Sequence, residues 1–454
     1  MMDPLLFAAV ADDDTGAREL AGIFADQGVR ALLVLDAAFL EKGDDPALAQ
    51  AQAIVLATPT RAVGPQRAFG TTAQAVRRAA ALAPRMLQIK YSSAFDSTAE
   101  GNIGPSLEAA MGILGESFAV AVPASPVNGR TTYLGYHFVH GQLLSESPMR
   151  CHPLTPMTNA NLVEHLQKQT RRRVGLTPYP VVAAGPASIL RHWSLLRQAG
   201  VEISIVDCLD DAQASAIAEA ACELKLISGS SLFGACLPLV WRSRGWLGPP
   251  LFNLWDGLEI CEGRGKLVVT ASCSEATAVQ NAQLLAAGAE LVELNPRSVI
   301  QTGGQEFLPR AAQALSAGRS VLLKIRSTPE DLLRTERWGA AQGWSPAELG
   351  LRLAAALASI TKQLLEEQLP EILVCSGGET SGAVCRALGI RAFAVDRNIQ
   401  PGIPLCYPLQ GKCLPIVLKS GNFGSKDFYQ AAFFAGQRAR SRAQQHRSAS
   451  SKSA

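Results

Sequence analysis

The sequence predicts an α/β protein of two domains, each built on a mainly parallel sheet flanked by helices. Three observations carry that prediction. Short apolar runs alternate with helix-spaced patterns along most of the chain, the signature of βαβ units. A segment from Trp241 to Lys266 (WRSRGWLGPPLFNLWDGLEICEGRGK) interrupts this rhythm with glycines, prolines and tryptophans, and the pattern starts afresh beyond it. Polar or glycine-rich turns directly follow several of the apolar runs, where open parallel sheets place their ligands.

Taken in order, Leu5 to Val10 reads as a first strand and Asp12-Asp13-Asp14-Thr15-Gly16 as a polar turn. A helix follows with Ala17, Leu20, Ala21 and Phe24 on one face. Gly28 closes it, and Ala31 to Leu35 is the next strand. The same alternation runs through Ile54–Ala57, Met86–Ile89 and Phe118–Val122, and resumes from Val181 to Asp207.

Three polar clusters fall at strand ends in this half. Asp12, Asp13 and Asp14 bring adjacent carboxylates, which can bind hydroxyls, hold Mg²⁺ or act as a general base; Asp and Thr also cap helices, but three acids exceed what a cap needs. The stretch Tyr91 to Gly104 is dense in hydroxyl, carboxylate and amide groups, including Asp96, Ser97 and Asn102. A polyhydroxylated ligand wants such partners, and a solvated loop has the same composition. The third cluster, Pro123 to Thr132, contains Arg130 just past a glycine, where a guanidinium fork could hold a carboxylate or simply face solvent. His152, between Cys151 and Pro153, has no partner at metal-ligand spacing and reads as a substrate-loop or structural histidine.

The second half begins with a strand at Lys266–Thr270 and the turn Ala271-Ser272-Cys273-Ser274-Glu275. Strands at Ser320–Ile325 and Ile372–Cys375 follow. After the latter, Gly377-Gly378 breaks the run and Glu379-Thr380-Ser381 opens a helix. Strand, glycine turn and helix N-terminus together aim backbone N–H groups at one spot, a ready phosphate site. Ala392–Val395 and Pro415–Lys419 are further strands, the last followed by Ser420-Gly421-Asn422-Phe423-Gly424. Three small-residue turns in one domain point to a phosphate-bearing ligand. No Walker A loop and no G-x-G-x-x-G after a strand is present.

Composition excludes several classes. Of 454 residues, 48% are apolar and 18% charged, as in ordinary globular proteins. The net charge of +3 comes from the tail. From Gln437 onward Arg438, Arg440, Arg442, Arg447 and Lys452 meet no acid, which leaves the remainder at −2. No nucleic-acid surface follows from such a balance, and the tail (437–454) reads as basic and disordered. The ten cysteines form no C-x-x-C pair, which fits free thiols in a reducing cytoplasm and argues against structural zinc. The N-terminus lacks a basic region before its apolar run, so no signal peptide is read there, and no apolar stretch approaches the ~20 residues of a membrane span. A cytoplasmic location is expected.

The motifs themselves are familiar. Ala11-Asp12-Asp13-Asp14-Thr15-Gly16-Ala17 resembles the A-D-D-x-T-G-A opening of the four-carbon acid sugar kinase family. Phe95-Asp96-Ser97-Thr98 with Gly101-Asn102-Ile103-Gly104, and Asn128-Gly129-Arg130-Thr131, resemble its next two motifs. Ser272-Cys273-Ser274, Gly377 to Gly382 and Leu418 to Gly424 resemble its C-terminal ones. The motifs stand in family order from about residue 7 to 430, nearly the whole chain. The FDST-x-EGNIG form, with His152 to Thr158, is most similar to the branch acting on 3-oxo-tetronate; threonate and erythronate kinases more often show K-T-D-S-T-x-R-G-N. Asp14 stands where a large apolar residue is usual, Ser92, Ala94 and Ser125 replace Cys, Thr and Phe, and Ala271 stands where Gly is usual.

The resemblance implies an N-terminal domain (1–245) that binds a four-carbon sugar acid, a linker (246–265) and a nucleotide-binding C-terminal domain (266–436), with the active site in the interdomain cleft. Asp12 or Asp13 would orient or deprotonate the C4 hydroxyl. Asp96, Ser97, Asn102, Arg130 and Thr131 would bind the substrate, Arg130 through its carboxylate. Ser272, Ser274, Gly377, Gly378, Glu379, Thr380, Gly421 and Asn422 would cradle ATP, with Mg²⁺ bridging its phosphates and its protein ligands unassigned. The implied partners are the sugar acid and ATP, with no nucleic acid and no membrane; self-association stays open. A threonate or erythronate kinase, or a binding homologue with impaired catalysis, are the alternatives.

Overall fold

The computed structural model describes residues 5–41, 45–251, 254–255 and 258–453, with the side chains of 443–453 outside the description. The first residues of the expected leaderless N-terminus, 1–4, and part of the expected linker, 252–253 and 256–257, lie outside it. The chain divides into two compact units between Phe252 and Asn253.

In unit 1 the strands are β1 (Phe7–Ala11), β2 (Ala31–Val34), β3 (Ala53–Ala57), β4 (Met86–Lys90), β5 (Ala119–Val122), β6 (Arg130–Tyr133), β7 (Tyr136–Val139), β8 (Gln142–Leu143), β9 (Val174–Thr177), β10 (Ile203–Val206) and β11 (Leu226–Gly229). Eight of them form a sheet in the order β2-β3-β1-β4-β11-β5-β10-β9, parallel at every pairing. β1 is buried along its whole length, which is why it reads as an unbroken apolar run rather than an alternating one. Its Phe7 packs on Phe24 of the following helix, Asp14–Asp26, at 4.8 Å between ring centroids, and Phe24 stacks on Trp241.

β6, β7 and β8 form a separate small antiparallel sheet that starts at the end of the polar cluster Pro123 to Thr132 and runs beyond it. It is tied to the main body by His137, which is fully buried between Thr132 Oγ1 (3.0 Å) and Ser93 O (2.8 Å). Asp207 closes the other side, accepting from the backbone N–H groups of Leu134, Gly135 and Tyr179.

Unit 2 contains β12 (Lys266–Thr270), β13 (Glu290–Leu294), β14 (Ser320–Ile325), β15 (Ile372–Ser376), β16 (Ala392–Gln400), β17 (Ile403–Pro408) and β18 (Ile416–Lys419). Their order is β13-β14-β12-β15-β18-β17-β16. The first four and β18 pair in parallel, while β17 runs antiparallel to both β18 and β16.

Both units open with the same strand arrangement. The second and third strands lie to one side of the first, and the fourth lies to the other. The crevice outside the carboxyl ends of the first and fourth strands is the switch point of such a sheet, the position where ligands bind. In unit 1 that is the gap between β1 and β4, in unit 2 the gap between β12 and β15.

The basic tail continues the helix Phe428–Ser453, and its first residues, as far as Arg442, pack on unit 2. Ala439 is buried, Arg440 donates to Cys261 O (2.8 Å) and Glu371 O (3.0 Å), and Arg442 pairs with Asp396 (3.0 Å). Two arginines read as tail charge are therefore structural, Arg440 through backbone carbonyls and Arg442 through a carboxylate, and these bonds anchor the helix.

Candidate functional sites

The unit 1 site grows from the turn after β1. Asp13 caps the helix Asp14–Asp26, its Oδ1 accepting from Gly16 N at 2.8 Å. Asp12 extends the β1–β4 ladder, its N–H donating to Lys90 O at 3.0 Å. Arg61, four residues past β3, reaches across both acids. It donates Nε to Asp12 Oδ2 (3.1 Å), Nη2 to Asp12 Oδ1 (2.7 Å), and Nη2 and Nη1 to Asp13 (2.8 and 3.1 Å). Burial pushes the Asp12 carboxyl above its usual range, and Arg61 pulls it back. Burial also disfavours the Arg61 charge, but the Asp12 and Asp13 carboxylates outweigh it and hold the guanidinium firmly protonated.

A cavity of about 150 Å³ opens at this point, lined by Asp13, Thr15, Gly16, Glu19, Arg61, Lys90, Ser92, Ser93, Ser125, Asn128, Ser230 and Ser231. Asp13 faces it. Asp12 does not; it lies behind, nearly buried, with Asn102 Nδ2 donating to its Oδ2 at 3.3 Å. Ser97 and Asn102 brace each other, Ser97 Oγ donating to Asn102 Oδ1 (2.8 Å) and accepting from Asn102 N (3.0 Å). Neither lines the cavity. Their loop is held rather than solvated: His165 Nε2 bonds Ser97 O (2.6 Å) and Gln169 Nε2 donates to Thr98 O (2.6 Å). Gly101 is required there, since a Cβ would stand 2.1 Å from Ser97 Oγ. Asp96 is buried with Oδ2 4.0 Å from Arg61 Nε and Oδ1 without a hydrogen-bond partner.

Arg130 and Thr131, on β6, are not among the cavity-lining residues. The Arg130 guanidinium donates to Asn128 O and lies 3.1 Å from His140 Nε2. His152 is local: Thr155 N–H and hydroxyl both meet its Nδ1. Sequence reasoning missed Arg61, Lys90, Glu19 and Ser230–Ser231 as site residues. A lysine ending the apolar strand MLQIK was a usable signal, because a buried strand tolerates a cation only where something compensates its charge.

The unit 2 site is larger, a cavity of about 550 Å³. It takes in Ser272, Ser274, Gly377, Gly378, Glu379, Thr380, Gly421 and Asn422, all eight residues expected around the nucleotide. Ser274 caps the helix Glu275–Ala286 and accepts the Ser272 hydroxyl at 3.2 Å. Gly377 takes φ +113°, a backbone only glycine adopts freely, and turns β15 into the helix Gly378–Ala387. At Gly421 a Cβ would stand 2.6 Å from Ser272 Oγ, so glycine lets the last loop close on the first. Ala271 lines the same cavity, its N–H donating to Thr380 Oγ1 at 3.3 Å.

Lys419 holds that last loop in shape. Fully buried, it donates to the carbonyls of Ser420, Gly421 and Phe423 at 3.0 Å each, and burial pushes its ammonium down to about 8. Gln280 adds bonds to the carbonyls of Phe423, Gly424 and Ser425. The far end of the cavity is apolar, with Ile325, Leu332, Leu349 and Leu353 beside Ser327 and Glu336. One end thus offers backbone N–H groups and hydroxyls, the other a flat apolar slot, the two halves of a nucleotide's chemistry.

Among the described residues no group of three or more His, Cys, Asp or Glu could hold a metal ion, and no helix is long and apolar enough to cross a membrane. The cysteines at 151, 208, 222, 236, 261, 273 and 413 are free thiols.

These features define a class: a two-domain α/β protein with one polar site at each switch point. A family model of a sugar-binding N-terminal domain matches residues 7–237, and one of a nucleotide-binding C-terminal domain matches residues 267–429. The chain belongs to the four-carbon acid sugar kinase family, a family of phosphotransferases. It is 36% identical over 434 residues to a 3-oxo-tetronate kinase of Cupriavidus necator, covering 94% of this chain and 96% of that one. A 3-oxo-tetronate kinase of Pseudomonas savastanoi pv. phaseolicola is 36% identical over 430 residues, with the same coverage. Among solved structures, a Salmonella typhimurium LT2 protein carrying a provisional tRNA synthase label superposes with a TM-score of 0.79 at 30% identity, covering 94% of this chain and 98% of that one. A Haemophilus influenzae protein gives 0.78 at 28% identity with the same coverage.

Proposed function

We propose that the protein transfers the γ-phosphoryl group of ATP to the terminal C4 hydroxyl of 3-oxo-tetronate, giving 3-oxo-tetronate 4-phosphate and ADP. The observation that carries this reading is the pairing of an acid-lined polar cavity at β1/β4 with a glycine- and hydroxyl-lined cavity of nucleotide size at β12/β15. The names of the relatives supply the substrate.

In this reading Asp13, the acid on the cavity wall, accepts the proton of the C4 hydroxyl as its oxygen attacks the γ-phosphorus. The O–P bond forms, the β–γ bridging bond breaks, and ADP departs with that oxygen. Asp12 acts through Arg61, keeping the guanidinium in place, and the unpartnered Asp96 Oδ1 accepts a substrate hydroxyl. Gly378 and Gly421 bring backbone close to the phosphates, while Ser272, Ser274, Thr380 and Asn422 supply polar contacts. Mg²⁺ fits as a companion of the phosphates rather than of a protein cage, since such ions keep several waters and take only one or two carboxylates; Glu379 is the carboxylate at the glycine turn. When bound, Mg²⁺ neutralises phosphate charge.

The test is an ADP-release assay over a panel of four-carbon acids, with phosphorus NMR of the product. Release with 3-oxo-tetronate and a 4-phosphate product supports the reading. Faster turnover of threonate or erythronate would move the substrate assignment.

A further inference from the structure

The unit 1 cavity has two cations on its wall, and they differ in what they already hold. Arg61 is bonded to Asp12 and Asp13 and lies near Asp96. Its charge is spoken for. Lys90 is almost fully buried, its side chain 2% exposed at the end of β4. It donates to Tyr91 O at 3.0 Å, and the carboxylate nearest to it among the described residues, Glu19 Oε2, stands 4.0 Å away. That Glu19 oxygen already accepts the Ser231 hydroxyl at 2.8 Å. A buried ammonium whose nearest carboxylate stands 4.0 Å away and is already shared is costly, and an anionic ligand group lowers that cost.

Gly16 keeps the space beside this ammonium open. A Cβ there would stand 2.8 Å from Lys90 Nζ and 2.7 Å from Asp13 Oδ1. The ammonium and the cavity-facing carboxylate thus flank one bare Cα in the first turn of the helix Asp14–Asp26. A short ligand with an anion at one end and a hydroxyl at the other can address both.

We infer that Lys90 holds the substrate's carboxylate in the cavity at β1/β4, the part that the sequence alone suggests for Arg130. The inference rests on the proposed function. Carboxylate recognition by Lys90, with Ser230 and Ser231 beside it, leaves the opposite end of a four-carbon acid to Asp13. Arg130 stays bonded to Asn128 O and His140 and takes no part.

The experiment is isothermal titration of the full chain, without nucleotide, using 3-oxo-tetronate and its primary amide. Wild type favours the acid. Lys90→Met weakens acid binding roughly 10- to 100-fold, the scale of a charge-assisted hydrogen bond, and leaves the amide within about threefold. Lys90→Arg retains part of the preference, and Arg130→Met all of it. Gly16→Ala, which presses on the ammonium from the helix, weakens the acid more than the amide and serves if Lys90→Met does not fold. Parallel loss of acid and amide in Lys90→Met, unchanged acid binding, or loss of the preference in Arg130→Met overturns the inference. A wild type that binds and phosphorylates the acid while Lys90→Met still discriminates sinks the Lys90 assignment alone. A wild type that binds no four-carbon acid sinks the proposed function as well.

Discussion

Arg61 and Asp12 form a two-point ion pair, with Nε on Oδ2 at 3.1 Å and Nη2 on Oδ1 at 2.7 Å, across 49 residues of chain. Asp12 is nearly buried and off the cavity wall, so the pair sets it as a holder of Arg61 rather than as a group that meets ligand. Removing Arg61 leaves Asp12 buried without its cation. Arg61→Met is expected to lose about 3–5 kcal/mol of unfolding free energy in urea. The double variant Arg61→Met/Asp12→Leu recovers part of that loss. If the single variant melts like wild type, the pair contributes little.

Asp13 shares the cavity wall with Glu19, and asparagine caps a helix as well as aspartate does. Asp13→Asn therefore keeps the helix cap while removing the proton acceptor and weakening the two bonds from Arg61. Turnover should fall by roughly 10²- to 10⁴-fold with a small change in KM for the acid, the size of a general-base contribution. Steady-state kinetics reads this directly, and full turnover in the variant would take Asp13 out of the mechanism.

Neighbouring glycines in unit 2 should behave differently. At Gly378 a Cβ meets no atom within 4 Å, so Gly378→Ala leaves the melting temperature of the ligand-free protein unchanged. It still stands where a phosphate would approach the helix N-terminus, and KM for ATP should rise about tenfold. Gly377→Ala sits at φ +113° and should also lower stability, by about 1–3 kcal/mol. Equal stability losses in the two variants would argue against this division.

How much of this was legible beforehand depends on local signal. Fully buried parallel strands announce themselves as apolar runs, and β12 and β14 occupy the stretches read from sequence, Lys266–Thr270 and Ser320–Ile325. β17 was missed because Pro404 and Pro408 punctuate it, Pro404 opposite an irregular stretch of β16 and Pro408 at the strand's last position. The β6–β8 sheet was hidden in strands of four residues or fewer. In the nucleotide site the glycine turns were visible because the backbone itself makes the site. The partners of Asp12 were not, because Arg61 sits in an unremarkable polar turn 49 residues away and only the sheet order brings it back. The same holds for Lys419, whose work is done on carbonyls that sequence does not display. The tail misled through charge: Arg440 and Arg442 look solvated until their acceptors are known.

Stability should fall with acid through His137. Burial pushes its imidazole down to about 4 from an ordinary 6.5, so the unfolded chain binds the extra proton over that window. The contribution is complete above about pH 6.5 and is lost as pH falls towards 4, up to about 3 kcal/mol for the 2.5-unit span. His137→Gln, which keeps a donor for Ser93 O, should flatten that limb in melts from pH 7.5 to 4.5. An unchanged slope would place the acid sensitivity elsewhere, with His165 the next group to test because burial lowers it too.

The C-terminal helix also sets a schedule. Arg440 bonds to a carbonyl 179 residues earlier, and β18, the last strand in the chain, lies between β15 and β17 rather than at an edge. Unit 2 therefore has an unfinished sheet until Ile416–Lys419 has been made. Unit 1 holds all its strands by Gly229 and can fold while its neighbour is still being made. The ribosome delivers a finished sugar-side domain first, and for the time needed to translate some two hundred more residues that domain travels with an open, apolar nascent partner.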